Sequence, residues 1–320
     1  MPRLSSFREM NLVQNLASKF SEFGTVDVLG EVDHKSYSLP IHSFQLGSAE
    51  KDKPVVGLFA GVHGIERIGT HVVVNFLSTL AEQLSWDEHL QQLFSEVTLV
   101  AIPLINPVGM LLGKRSNGND VDLMRNAPVR SLGKTTPLVS GHRISPKLPW
   151  YQGPKLNSME LEIELVSNFI RETIFGRPFA LTMDIHSGFG MQDRLWYPYG
   201  KTKTPFPDVG VARKFNRLLN TSIPHHVYKL EPQSAAYTIN GDLWDFLYDE
   251  HRAEHTENTY VPWTLELGSW NWLRKNPKQM FSFAGFFNPI LPHRYSRQMR
   301  RHRNLLELFL RAARNYKSWS

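Results

Sequence analysis

Apolar residues along this chain gather in short continuous runs that stop abruptly at glycine, asparagine, proline or histidine. A segment near Phe7 to Phe23 predicts a helix, and VDVLGEV and SLPIHSFQL read as strands. The run from Pro54 to Val62 is apolar throughout, is bounded by Gly61, Gly64 and Gly69, and leads into THVVVNFLSTLAEQL, which predicts a helix. A buried strand feeding a helix is the unit from which parallel α/β sheets are built. Three further runs stop in the same way: Val97 to Ile105 at Asn106-Pro107, Phe179 to Ile185 at His186-Ser187-Gly188, and Trp263 to Leu267 at Gly268-Ser269. Ligands of open α/β sheets bind outside the carboxyl ends of the strands, so chemistry placed at these four stops is expected to converge in space.

Between Ala127 and Gly153 periodicity is lost among Pro128, Pro137, Gly141, Pro146 and Pro149. A structureless excursion of this length in a compact domain is expected to frame a cleft, here over residues 127–155. With 41% hydrophobic and 21% charged residues the chain can build a sizeable core, and it is expected to fold as one domain over 1–320. It has no cysteine, which excludes disulfides, a thiol nucleophile and every thiolate metal site. Any metal must therefore be held by histidine and carboxylate. The amino-terminal segment lacks an apolar core of signal-peptide length, and no apolar run reaches a membrane span, so a soluble, cytoplasmic protein is expected. All of the net charge of +6 comes from the stretch after Leu291, where eight basic residues meet only Glu307 and the rest of the chain is close to neutral. A basic terminal helix is expected over 295–317, with Leu305, Leu306, Phe309 and Leu310 turned inward and its arginines turned either to water or to an anionic partner. Nucleic acid is not expected as a partner.

The first strand stop carries His63-Gly64-Ile65-Glu66. The same spacing recurs at His251-Arg252-Ala253-Glu254, within the hydrophilic YDEHRAEHTEN, which reads as a surface segment. Position separates the two, because His63 and Glu66 lie where a buried strand opens into a glycine-bearing loop that lets two side chains approach one ion. A catalytic zinc takes three protein ligands and keeps one position open. With thiolates excluded, His186 at the third stop is the best placed third ligand, and Asp184 two residues earlier is either its hydrogen-bond partner or a structural polar group. Glu266 sits within an otherwise apolar strand, where a carboxylate is costly without a partner or a task, and it is the candidate base. Arg115 and Arg125 lie ten residues apart in a Gly/Asn-rich loop, suited to an oxyanion and a carboxylate or, alternatively, to surface ion pairs.

In this order the pieces resemble the zinc metallocarboxypeptidase family of the carboxypeptidase A type, over about Pro54 to Ser269. The motifs are His63-Gly64-Ile65-Glu66, the NPxG…R…DLxRN segment, Tyr151, Gly153 and Ser158 with Glu160 one position nearer than the family pattern, DIHSG, and TLELG. The resemblance implies a single α/β domain with a mixed, mostly parallel twisted β-sheet flanked by helices. It implies one zinc ion on His63, Glu66 and His186, Glu266 as general base and proton shuttle, and Arg115 on the oxyanion. Arg125 would grip a terminal carboxylate beside Asn126, and Tyr237 would close over substrate, with Tyr248 and Tyr260 nearby. Two positions depart from the pattern. Met124 replaces an asparagine donor, and Trp244 is expected to fill the specificity pocket, favouring a small residue or an unusual moiety. Three functions remain open: a carboxypeptidase or peptide amidase closer to the intracellular, murein-peptide-trimming members; a zinc amidohydrolase acting on N-acyl amino acids, similar to succinylglutamate desuccinylase and aspartoacylase; and a non-catalytic binding protein. The presence of all three ligands and Glu266 weighs against the last.

Overall fold

The computed structural model describes residues 7–320. The chain runs through α1 (Arg8–Phe20), the hairpin β1 (Thr25–His34) and β2 (Tyr37–Leu46), β3 (Val55–Ala60), α2 (Arg67–Leu84), α3 (Glu88–Glu96), β4 (Thr98–Ile102) and α4 (Pro107–Leu112). After the long loop come α5 (Leu161–Thr173), β5 (Phe179–Ser187), β6 (Arg194–Tyr197), α6 (Val209–Ser222), β7 (Lys229–Pro232), α7 (Leu243–Glu254), β8 (Thr259–Leu267), α8 (Trp270–Lys275) and α9 (Pro292–Arg314).

All eight strands form one sheet in the order β1-β2-β4-β3-β5-β8-β6-β7. The four apolar runs are its centre: β4, β3, β5 and β8 are mutually parallel, and every residue of β3, β4 and β5 is buried. Strands covered on both faces have no polar side to show, which is why they read as continuous hydrophobic runs. The flanks are antiparallel, with β2 on β4 and β6 on β8, so the sheet is mixed, within a single α/β domain. β6 and β7 have four residues each, too short to stand out in the sequence, and β7 is also weakly apolar.

Helix α9 begins at Pro292 and ends at Arg314, slightly earlier at both ends than its sequence pattern predicts. Leu305, Leu306, Phe309 and Leu310 are buried, and the helix packs on α2, β3 and β5. Phe309 meets Phe215 edge-on at 4.8 Å between ring centroids. Among the described residues no helix is long and apolar enough to cross a membrane.

Helix α1 is tied to the start of α2 by a buried ionic cluster. Glu9, 2% exposed, pairs with Arg67, and its other oxygen lies 3.2 Å from His71 Nε2. Burial alone pushes the Glu9 carboxyl up, but His71 and the Arg67 charge outweigh it and hold it down to about 2. A depressed carboxyl stabilises the fold above its unfolded pKa and stops doing so as pH falls through the folded one. Urea unfolding is therefore expected to show stability declining between about pH 4.5 and pH 2. In Glu9→Gln that decline shrinks by on the order of 2 kcal/mol; an unchanged pH profile would remove this assignment.

Candidate active site

Three of the four parallel strand ends, those of β3, β5 and β8, place side chains in one cleft, while the end of β4 supports them from behind. In the β5/β8 register His186 stands opposite Glu266, and the exit loop of β3 carries His63 and Glu66 beside them. That loop is pinned locally. Asn106 caps α4 by accepting from Gly109 N (2.8 Å), and its amide donates to Val62 O (3.1 Å). Gly64 has no space for a side chain, since a Cβ there would overlap the backbone of Gly109 and Met110. The glycines of the HGxE and NPxG motifs thus lie back to back, and their close approach sets the position of His63.

His63, Glu66 and His186 are all buried and form the one cluster among the described residues whose ligand atoms could share an ion. His63 Nδ1 lies 3.1 Å from His186 Nδ1 and 3.1 Å from Glu66 Oε1, and His186 Nδ1 lies 3.1 Å from Glu66 Oε2. Two donors on one tetrahedral zinc stand roughly 3.3 Å apart, so the donor set fits zinc. Two facing ring nitrogens and a carboxylate are also a natural cation-binding set, because lone pairs directed at one point need a positive charge between them.

The outer nitrogen of each imidazole meets a carboxylate: His63 Nε2 lies 3.1 Å from Asp122 Oδ1, and His186 Nε2 lies 2.6 Å from Asp184 Oδ2. Such partners fix ring orientation and direct Nδ1 inward. Asp122 Oδ2 also accepts from Arg115 Nε at 2.9 Å, and a second guanidinium nitrogen reaches Glu66 Oε1 at 3.2 Å. Burial works against the ionised Glu66, but the two histidines hold it well below the usual carboxylate range. Burial raises the Asp122 carboxyl too, and the Arg115 charge outweighs it. Glu266 behaves oppositely. Burial, with the neighbouring Glu66 charge, pushes its carboxyl up to about 8, although Oε1 accepts from Phe189 N at 2.9 Å.

The cleft encloses about 530 Å³ and also takes in Arg125, Met124 and Tyr237. Arg125 is 3% exposed, and its guanidinium donates to the carbonyls of Met124 and Val139. Tyr237 lines the cleft, whereas Tyr248 is buried and donates to Asp208, and Tyr260 is fully buried. Val139, Pro149 and Trp150 of the long loop form part of the wall.

Other expectations are corrected. Trp244 does not enter the cleft: it is buried against Phe59, and its Nε1 donates to Asp184 Oδ2 at 2.9 Å. Trp244 Nε1 and His186 Nε2 meet the same oxygen, Asp184 Oδ2, so Trp244 braces the partner of His186 and stays out of the cleft. Asn126 is also withdrawn. Its amide donates to Gln152 O (3.0 Å) and its oxygen accepts from Glu160 N (2.6 Å), tying the long loop to the start of α5. The His251 segment is not a surface stretch throughout. His251 packs against Phe175 and Tyr260 inside the fold, and burial pushes it down to about 4. It is a core histidine.

Asp122 is the residue that sequence reasoning passed over, although it is the aspartate of the DLxRN motif itself. Trp150, Phe189, Trp196, Trp270 and Phe287 also line the cleft, and they come from loops, the short strand β6 and the start of the short helix α8, none with a periodic signal.

A family model for zinc carboxypeptidases matches residues 10–285. A carboxypeptidase of Arabidopsis thaliana, SOL1, is 30% identical over 76 residues, a stretch that spans 24% of this chain and 16% of that protein's length. Among solved structures, carboxypeptidase A from Helicoverpa armigera superposes with a TM-score of 0.69 at 19% identity, covering 94% of this chain and 71% of that one. Thrombin-activatable fibrinolysis inhibitor superposes at 0.67 with 15% identity, covering 94% and 72%. The bovine form of that protein, in complex with tick carboxypeptidase inhibitor, gives 0.65 at 17% identity over 98% and 96%.

Proposed function

The chain belongs to the zinc carboxypeptidase family, and from that membership we propose that it hydrolyses the last peptide bond of substrates ending in a free carboxylate and a large apolar side chain. The observation that carries this reading is the gathering of three metal-ligand side chains, Glu266, Arg115 and Arg125 in one aromatic cleft. His63, Glu66 and His186 would hold one zinc ion. When bound, that ion supplies Lewis acidity, activating water and polarising the scissile carbonyl.

The remaining roles belong to the chain's own residues. Phe189 N–H holds Glu266 through one carboxylate oxygen, and the carboxylate takes a proton from the attacking water and delivers it to the leaving nitrogen. Arg115, fixed by Asp122, donates to the oxygen that gains charge in the tetrahedral state. Arg125 binds the terminal carboxylate. Its guanidinium hydrogen-bonds only to carbonyls, with the buried Asp122 and Asp242 close enough to feel its charge but not bonded to it, so its donors can turn to an incoming anion, and Met124 leaves it to do this without the asparagine donor of the family pattern. Tyr237 stands on the wall from which it can cover the bound terminus. With Trp244 outside, the space beyond Arg125 remains open, and Met124, Trp196 and Phe189 favour an apolar terminal residue.

Mass spectrometry on zinc-loaded protein with matched peptides bearing free or amidated carboxyl ends tests this reading. Removal of single residues from free ends alone is the expected result. Turnover of N-acyl amino acids without peptide trimming would replace it with the deacylase reading, and zinc binding without any turnover would replace it with a binding role. In Arg125→Gln, kcat/KM for free-ended peptides is expected to fall about 100-fold, the worth of a charge-assisted hydrogen bond. The amidated peptide should be unaffected, so the preference between the two collapses.

A further inference from the structure

A second concavity, of about 310 Å³, lies behind the segment that carries Phe189, and it is cationic. Arg294, Arg297 and Arg301 enter it from successive turns of α9, and Lys275 enters from α8. The α9 arginines, expected to face either water or an anionic partner, therefore divide. Arg303 and Arg314 are paired with Glu307 and Glu96 on the surface, while this group of three is turned into a pocket.

The pocket's charges are poorly balanced. Asp193 is its one acidic residue, and that carboxylate is already used, accepting from Arg301 and from Gly268 N, each at 2.9 Å. Arg294 donates to Trp272 O at 2.8 Å. Among the described residues Arg297 and Lys275 have neither a hydrogen-bond nor an ion-pair partner, although both line the same small volume. Four cations converging on a concave surface with one satisfied carboxylate focus a positive potential that like-charge repulsion makes costly to keep without a counter-ion. Guanidiniums and an ammonium arranged around a compact space match the oxygens of a multiply charged tetrahedral anion, with arginine supplying planar pairs of donors and lysine a point charge.

We propose that this pocket is a binding site for a compact, multiply charged phosphate anion, of the size of a diphosphate, free or as the terminus of a small ester. The volume is at the lower end for small-molecule sites, which suits such a group and excludes a peptide. The inference stands apart from the catalytic reading, because none of its four cations lines the metal cleft.

Isothermal titration calorimetry of the zinc-loaded protein with inorganic pyrophosphate, at physiological ionic strength and with zinc content checked afterwards, is the test. Saturable one-site binding is expected in the wild type. It should weaken at least tenfold in the double variant Lys275→Ala/Arg297→Ala, and remain in Arg300→Ala/Arg311→Ala, which loses the same charge elsewhere on α9. Adenosine diphosphate run alongside separates a free diphosphate from an esterified one. Equal weakening in both double variants would reduce the effect to general surface charge and overturn the proposal. Binding that survives in Lys275→Ala/Arg297→Ala would place the anion at the metal or elsewhere, and absence of saturation up to millimolar pyrophosphate would also overturn it. Circular dichroism melts of both double variants, all of whose changed side chains reach the surface, confirm that folding is intact.

Discussion

Glu266→Gln is expected to abolish nearly all turnover while leaving the protein folded and zinc-loaded. The amide has the same shape, and its oxygen still accepts from Phe189 N, so the carboxyl end of β8 keeps its geometry. What disappears is the ability to take a proton from water and return it to the leaving nitrogen. Positioned acid–base groups contribute about 10² to 10⁴ in rate, and the upper end applies here because one carboxylate would serve both steps. The check is kcat on a free-ended peptide together with zinc content by atomic absorption. Normal metal content with activity within tenfold of wild type would remove Glu266 as the base and return the question to the other cleft residues.

The second large effect concerns the metal. His63→Ala should bind no stoichiometric zinc and show no turnover. It should also lose the zinc-dependent rise in melting temperature expected of the wild type, since a ligand that binds only the folded state stabilises it by mass action. His63 is one of three facing donors about 3 Å apart, and removing it leaves an incomplete set around the shared point. Asp122→Asn provides a graded companion. The aspartate meets the outer nitrogen of His63 and grips Arg115, and loss of such a partner weakens metal binding by about 10-fold to 100-fold. A zinc titration followed by melting temperature distinguishes the two variants. Retention of one tightly bound zinc in His63→Ala would overturn the ligand assignment.

The central architecture was legible because parallel strands covered on both faces leave a continuous apolar imprint. Val55–Ala60, Thr98–Ile102, Phe179–Ser187 and Trp263–Leu267 all stand out, and their stops mark the edge where His63, His186 and Glu266 meet. The paired short strands β6 and β7 were not legible, having neither length nor clean alternation, yet β6 brings Trp196 to the cleft. His251 was misread for a related reason. Its neighbours in sequence are hydrophilic, but on a helix burial follows every third or fourth residue, and that position faces Phe175.

Composition and local spacing were enough to name the residue types that could do chemistry and roughly where they lie: a cysteine-free chain must use histidine and carboxylate for a metal, and the stops of the apolar strands put those groups on one edge. Direction came from packing. Trp244 and Asn126 are where their motifs put them along the chain, but packing turns the first towards Asp184 and the second towards Gln152 and Glu160, away from the cleft. The same holds for α9, where the basic pattern is plain in sequence but the packing of the helix on α2, β3 and β5 fixes which arginines meet the pocket beside Asp193. Spacing constrains what is near along the chain, whereas the face a side chain presents depends on how whole elements rotate to bury their apolar stripes, a property shared by residues far apart in sequence.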